Sequence, residues 1–133
     1  MILNYIVVAA FILHGLAHLS GFVAAFTSRD AGFLPKPWLF SPNVTIHSAI
    51  GKLFGLLWLV AAVALAGSGL ALLLGWAVWP WLPIAGAVLS LLVIVPWWNT
   101  VPPGAKAGAV FDLLILLALI PGWRGQVMTL IGI

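Results

Sequence analysis

Residues Ile2 to Phe26 form a continuous apolar stretch without a single Lys, Arg, Asp or Glu. Roughly 20 such residues cross ~30 Å of hydrocarbon, and inside a bilayer the backbone of a single segment can satisfy its own polar groups only as a helix. This stretch commits the chain to a membrane-spanning helix. Within it His14 and His18 stand one helical turn apart and, with Asn4, are its strongest polar groups. Ionisable side chains at that depth are functional candidates by default.

The remaining sequence agrees. The chain is 65% hydrophobic and 5% charged, with a mean hydropathy of +1.27, far from soluble globular composition. Its net charge of +3 comes from dispersed basic residues, Arg29, Lys36, Lys52, Lys106 and Arg124, so there is no basic patch for nucleic acid. The absence of cysteine excludes disulfides, thiolate metal sites, Fe–S clusters and thiol nucleophiles. A metal site would have to use His, Asp, water or backbone. The N-terminus lacks the basic start of a cleaved signal, and the first apolar run is too long for one, so it is read as a retained span.

Four spans fit, at about 2–26, 44–74, 79–97 and 105–121, giving an all-α, polytopic four-transmembrane-helix bundle as one domain over 1–133. The first ends at Thr27-Ser28-Arg29-Asp30, and a loop stiffened by Pro35, Pro37 and Pro42 follows. The second is expected to start near Asn43 or Val44, with Ser41 or Asn43 as its N-cap. Its turn lies either at Gly67-Ser68-Gly69 or at Gly75 to Pro83. The later position is favoured because Trp76, Trp79 and Trp81 resemble an interfacial belt. Trp97-Trp98-Asn99-Thr100 mark the exit of the third span, and Pro121 that of the fourth. Gly125 to Ile133 either continue that helix or lie in the interface. The loops after spans one and three hold Arg29, Lys36 and Lys106, which by the positive-inside rule places them in the cytoplasm and both termini outside a cell inner membrane. The bilayer is the first partner; homo-oligomerisation or attachment to a larger membrane complex is the protein partnership open to such a chain.

Counting ~1.5 Å per residue from the span ends places His18 about 12 Å deep and His14 ~6 Å deeper. His47 falls about one turn into span two, while Lys52 and Asp112 lie ~10 to 14 Å deep in spans two and four. Several helices thus bring polar groups to one half of the bilayer. His14 and His18 share a face, with Gly15 and Gly21 beside it. Gly104, Gly108 and Asp112 form a small-residue face that should turn the carboxylate inward against a neighbour. His47 and Lys52 point ~140° apart and cannot equally face one pocket.

These residues support three chemistries. An i, i+4 histidine pair supplies two ligands to a transition metal ion, and His47 with Asp112 would complete a three-His, one-carboxylate set. Haem b would instead take His18 and His47, with Gly15, Gly21 and Gly51 making room. A proton or ion path would use His14, His18 and Asp112. Against these stand plainer roles. The histidines can be interhelical hydrogen-bonding groups, Lys52 and Asp112 a structural ion pair, Lys52 a snorkelling side chain and His47 a solvated one. No G-x-S-x-G, phosphate loop or H-E-x-x-H is present, and catalysis is left open. The expected function is binding, and translocating, a small ligand, proton or metal ion at a site drawn from His14, His18, His47, Lys52 and Asp112. The alternatives are a haem-binding redox subunit and a structural accessory subunit.

The segment His14-Gly15-Leu16-Ala17-His18-Leu19-Ser20-Gly21-Phe22 resembles the H-G-x-x-H-x-x-G-F opening of a set of small bacterial four-span membrane proteins. Gly55-Leu56-Leu57-Trp58-Leu59 and the Trp98-to-Asp112 segment are similar to their second span and their last loop and fourth span. The resemblance implies four-span topology, singles out His14 and His18, and carries a transport-permease label for some relatives. Where those proteins place an acidic residue before the basic one of the last loop, this chain has Asn99-Thr100-Val101-Pro102-Pro103 ahead of Lys106.

Overall fold

The backbone changes direction where its sequence can no longer hold a helix. In a computed structural model of the protein, which describes residues 2–132, the helices are α1 (Ile2–Phe26), α2 (Ala49–Leu73), α3 (Trp81–Ile94), α4 (Pro103–Leu119) and α5 (Pro121–Ile131), with a 3₁₀ turn over Val95–Trp97. After α1 the Thr27 hydroxyl donates to the Val23 carbonyl at 2.7 Å, and Ala31 and Gly32 take left-handed φ values of 48° and 83°. α1 and α2 are each long and apolar enough to cross a membrane.

α2 begins later than the sequence suggests. Residues 41–48 wind through successive turns, in which Val44 N–H donates to Ser41 O and Ser48 N–H to Thr45 O. The effective cap is Ser48, whose hydroxyl accepts from Gly51 N–H at 3.1 Å. His47 consequently lies ahead of the helix. At its far end α2 runs through Gly67-Ser68-Gly69 and stops at Leu73, with Gly75 at φ 68° making the turn, as the later-turn reading expects.

Gly15 of α1 and Gly55 and Gly69 of α2 serve packing. α1 and α2 lie antiparallel, and a Cβ on Gly15 would sit 2.5 Å from Ala66 N, one on Gly69 2.8 Å from Val8 O, and one on Gly55 2.5 Å from Ala25 Cβ. Backbones this close admit no side chain between them. α2 packs on α3 and α3 on α4, whereas direct packing between α1 and α4 is sparse. The loops after α1 and α3 meet at one end, where Leu34 N–H donates to Thr100 O at 2.8 Å and Asn99 Nδ2 to Pro37 O at 2.8 Å.

The fourth helix ends at Leu119, short of 121, because Ile120 precedes a proline and is held extended at ψ 150°. α5 then leaves at 97° to α4. It is a separate helix whose Val127, Met128 and Ile131 pack against the core, while Arg124 lies 4.9 Å from the Trp81 ring centre.

Two apolar clusters fill the interior. One gathers Phe11, Leu65, Trp79, Ala87, Ile115 and Leu119; the other gathers Ala24, Trp58, Val93, Ile94, Trp97 and Ala109. On α1, α3 and α4 the residues between the two sets include His14 and His18, Ser90, and Asp112. Gly15→Ala is expected to lower thermal stability in detergent by about 3 kcal/mol or more, since the clash is with backbone. Gly67, with nothing within 4 Å of an added Cβ, should accept alanine with unchanged or raised stability; a common effect at both positions would contradict the packing assignment.

Candidate functional site

Asp112 is fully buried and both of its carboxylate oxygens are engaged. His14 Nε2 lies 2.8 Å from Oδ1, and the Ser90 hydroxyl donates to Oδ2 at 2.5 Å. Ser90 Oγ also lies 2.6 Å from His18 Nε2, and His18 Nδ1 donates to the His14 carbonyl at 2.9 Å. The groups close a ring from α1 through α4 and α3 back to α1. Helical spacing puts both histidines on one face, and Gly108 leaves room for the His14 ring, whose Cε1 would be 3.0 Å from a Cβ there. The His14 ring meets those of His18 and Phe111 edge-on, at 4.8 and 5.0 Å between centres. Trp58 backs His18 at 5.2 Å.

The hydrogen-bond count limits the proton positions. A carbonyl only accepts, so His18 Nδ1 carries a proton. Ser90 has one hydroxyl proton for two close neighbours. Either it donates to an ionised Asp112 and His18 Nε2–H donates to Ser90, or it donates to a neutral His18 and a protonated Asp112 donates to Ser90. The two arrangements have the same number of protons and the same net charge. They interconvert by moving two protons along Asp112–Ser90–His18, so the cluster is chemically able to relay a proton.

It is also a candidate metal site. One ligand atom from each of His14, His18 and Asp112 lies within 4.8 Å of the others. Two nitrogen or oxygen ligands of one ion are at most about 4.2 Å apart. An ion would draw the groups together and displace the Ser90 hydroxyl from between Asp112 and His18.

A pocket of about 220 Å³ adjoins the ring, lined by His14, His18, Ser20, Trp58, Gly104 and Gly108 among others. Trp58 is 1% exposed, and its indole N–H is buried with no acceptor, as are those of Trp38 and Trp97.

The other expected members lie elsewhere. His47 is exposed in the turn before α2 and lines a separate hollow with Asp30, Phe33 and Lys36, so the metal-capable group is one histidine smaller than the three-His set. Lys52 is exposed on the first turn of α2, and Asp112 is partnered by His14 and Ser90 in place of a Lys52 ion pair. The glycines assigned to a haem are closed by protein: a Cβ on Gly21 would sit 2.2 Å from the Trp58 ring, one on Gly51 2.2 Å from Ile46 O, and one on Gly15 against α2. With His18 Nε2 on Ser90 and His47 in the loop, the bis-histidine haem arrangement is not formed. Gly104 faces open space, and the tight glycine of that face is Gly108.

Sequence reasoning overlooked Ser90 and Trp58. Ser90 is the lone hydroxyl residue of α3, and a single polar group in an apolar helix is the signal that would have found it. Trp58 is set apart from the tryptophans at the span ends by its position in the middle of α2.

No protein-family profile, curated protein or solved structure matches the chain. The site's chemistry therefore rests on its own geometry. Ser90→Ala removes the shared partner of two buried groups and should cost about 1–3 kcal/mol in thermal or denaturant unfolding. In a cycle with Asp112→Asn the two losses should be clearly non-additive. Additive losses would show that the two side chains act separately.

Proposed function

We propose that the chain crosses a cell inner membrane four times and that His14, His18, Ser90 and Asp112 form a site that binds a small ligand and passes a proton. The crossings are α1, α2, α3 with its 3₁₀ extension, and α4. At ~1.5 Å per residue the two shorter ones reach ~25 Å, enough for a nearly untilted crossing with flanking tryptophans at the interface. α5, bent by 97° and carrying the exposed Trp123 and the half-buried Arg124 on its first turn, suits a position along the membrane surface. Arg29, Lys36, Lys52 and Lys106 sit on or next to the loops after α1 and α3, with Arg124 at the other end. This bias favours a cytoplasmic position for those loops and outward-facing ends of the chain.

The observation that carries the proton reading is the Ser90 hydroxyl between Asp112 and His18, at 2.5 and 2.6 Å. A purely structural pair would need one partner for each group. Here a hydroxyl able to reverse its direction joins an acid to a base, and a pocket adjoins them. Binding of a metal ion is the second reading, favoured by the convergence of His14, His18 and Asp112.

Protein reconstituted in liposomes containing a pH-sensitive dye, under an imposed membrane potential, is expected to conduct protons above the protein-free rate. Asp112→Asn should return the rate to that background and Ser90→Ala should lower it at least tenfold. Equal flux in wild type and Asp112→Asn would refute the relay. Elemental analysis of the same preparation separates the second reading: about one equivalent of a transition metal, lost in the His14→Ala/His18→Ala variant, would replace the proton with an ion as the site's occupant.

A further inference from the structure

We infer that Arg124 and the cleft where α3 begins and α4 ends form a binding site for an anionic phospholipid, its phosphate on the guanidinium and an acyl chain in the cleft. The chain has two acidic side chains, Asp30 and Asp112. Asp112 is taken by His14 and Ser90, and Asp30 lies in the loop after α1, at the other end of the bundle. Arg124 therefore has no carboxylate side chain to meet, although arginine keeps its charge in any protein setting. It lies 4.9 Å from the Trp81 ring centre, and an indole attracts a cation through its ring face but accepts no hydrogen bond at its nitrogen. The N–H donors of the guanidinium still call for an anion, and their fork matches the oxygens of a phosphate.

The cleft itself is a separate observation. It holds about 430 Å³ and is lined by Trp81 and Ile84 of α3, Leu116 and Leu119 of α4, and Ile120, with Arg124 the only charged residue of the lining. Ile84 is followed on α3 by Val88 and Leu92, both exposed, and a spacing of four keeps the three on one face. Leu113, exposed on α4, lies one turn from Leu116. Apolar surface thus continues from the cleft toward the middle of the crossing. Trp76, Trp81 and Trp123 are exposed, and Arg124 also lines the hollow beside Trp76. Tryptophans in this arrangement mark the headgroup level of a bilayer. An unpaired cation at that level, beside an apolar cleft, complements a phosphate ester joined to hydrocarbon. A free phosphate would leave the cleft unfilled, and a zwitterionic lipid would bring its own cation toward Arg124.

This inference rests on α3 and α4 crossing the membrane and α5 lying along its surface. The test is native mass spectrometry of the detergent-solubilised protein titrated with dioleoylphosphatidylglycerol. Dioleoylphosphatidylcholine serves as the zwitterionic lipid with the same chains, and glycerol phosphate as the headgroup alone. The first phosphatidylglycerol should bind about fivefold more tightly than the first phosphatidylcholine, and glycerol phosphate should not displace it. Arg124→Gln should remove that preference. Lys106→Gln, which takes away the cation 5.3 Å from the Trp98 ring centre at the other end, should leave it intact. Equal affinity for the two lipids, an equal loss in both variants, or displacement by glycerol phosphate would each overturn the proposal. A membrane-impermeant maleimide applied to Gly122→Cys in liposomes checks the underlying reading, since a Cβ there meets nothing within 4 Å and the chain has no other cysteine. Labelling without a lipid preference would overturn the lipid site alone. No labelling, in sealed or in permeabilised liposomes, would overturn the surface position of α5 and the site with it.

Discussion

A carboxylate with no solvent exposure at Asp112 is the constraint to which the surrounding structure answers. Leaving such a group ionised and unpartnered in an apolar interior costs several kcal/mol even after relaxation, about the whole stability of a small domain. It is accommodated by side chains from two other helices, His14 on α1 and Ser90 on α3. One residue thus ties together three helices. This matters most between α1 and α4, whose direct packing is sparse and between which the pocket opens.

The apolar parts of the molecule fit around that polar ring. Gly108 yields space to His14, and Gly21 to the Trp58 ring that backs His18. The α1–α2 seam, closed by Gly15, Gly55 and Gly69, fixes the histidine-bearing face of α1 against a stationary partner. Above and below the ring lie the two apolar clusters, and a low-dielectric surrounding of this kind strengthens buried hydrogen bonds and raises the cost of breaking one. Two proton arrangements of equal net charge, linked through the Ser90 hydroxyl, are what the ring offers beyond packing.

Periodicity and depth counting were enough to bring His14, His18 and Asp112 together, because helices of known rise meet at predictable levels. The turn at Gly75 was legible in the same way, since tryptophans mark where a span leaves hydrocarbon. His47 was misplaced through a local competition: Ser41, Asn43 and Ser48 are all competent caps, and the turns of residues 41–48 gave the role to Ser48. Lys52 followed from the same error, because a later helix start leaves it on an exposed first turn. Ser90 carried a signal as the lone hydroxyl of α3, but serine in an apolar helix also often bonds only its own backbone, as Ser68 does to Leu65 O at 2.6 Å. The glycines read as room for a macrocycle are room for a neighbouring helix at Gly15 and Gly21 and for the turn before α2 at Gly51, a distinction that only the packing partner decides.

The central claim is that Asp112 is held by His14 and Ser90 in the interior shared by α1, α3 and α4. It is tested most directly by solid-state NMR of protein in lipid bilayers with ¹³C-labelled aspartate and ¹⁵N-labelled histidine. Aspartate occurs only at positions 30 and 112, and histidine only at 14, 18 and 47, so the Asp112 carboxyl signal is identified by its loss in Asp112→Asn. The account predicts a strong dipolar contact, at roughly 4 Å or less, from the Asp112 carboxyl carbon to a His14 ring nitrogen, with none to His47. An Asp112 carboxyl with no histidine nitrogen in range would contradict it.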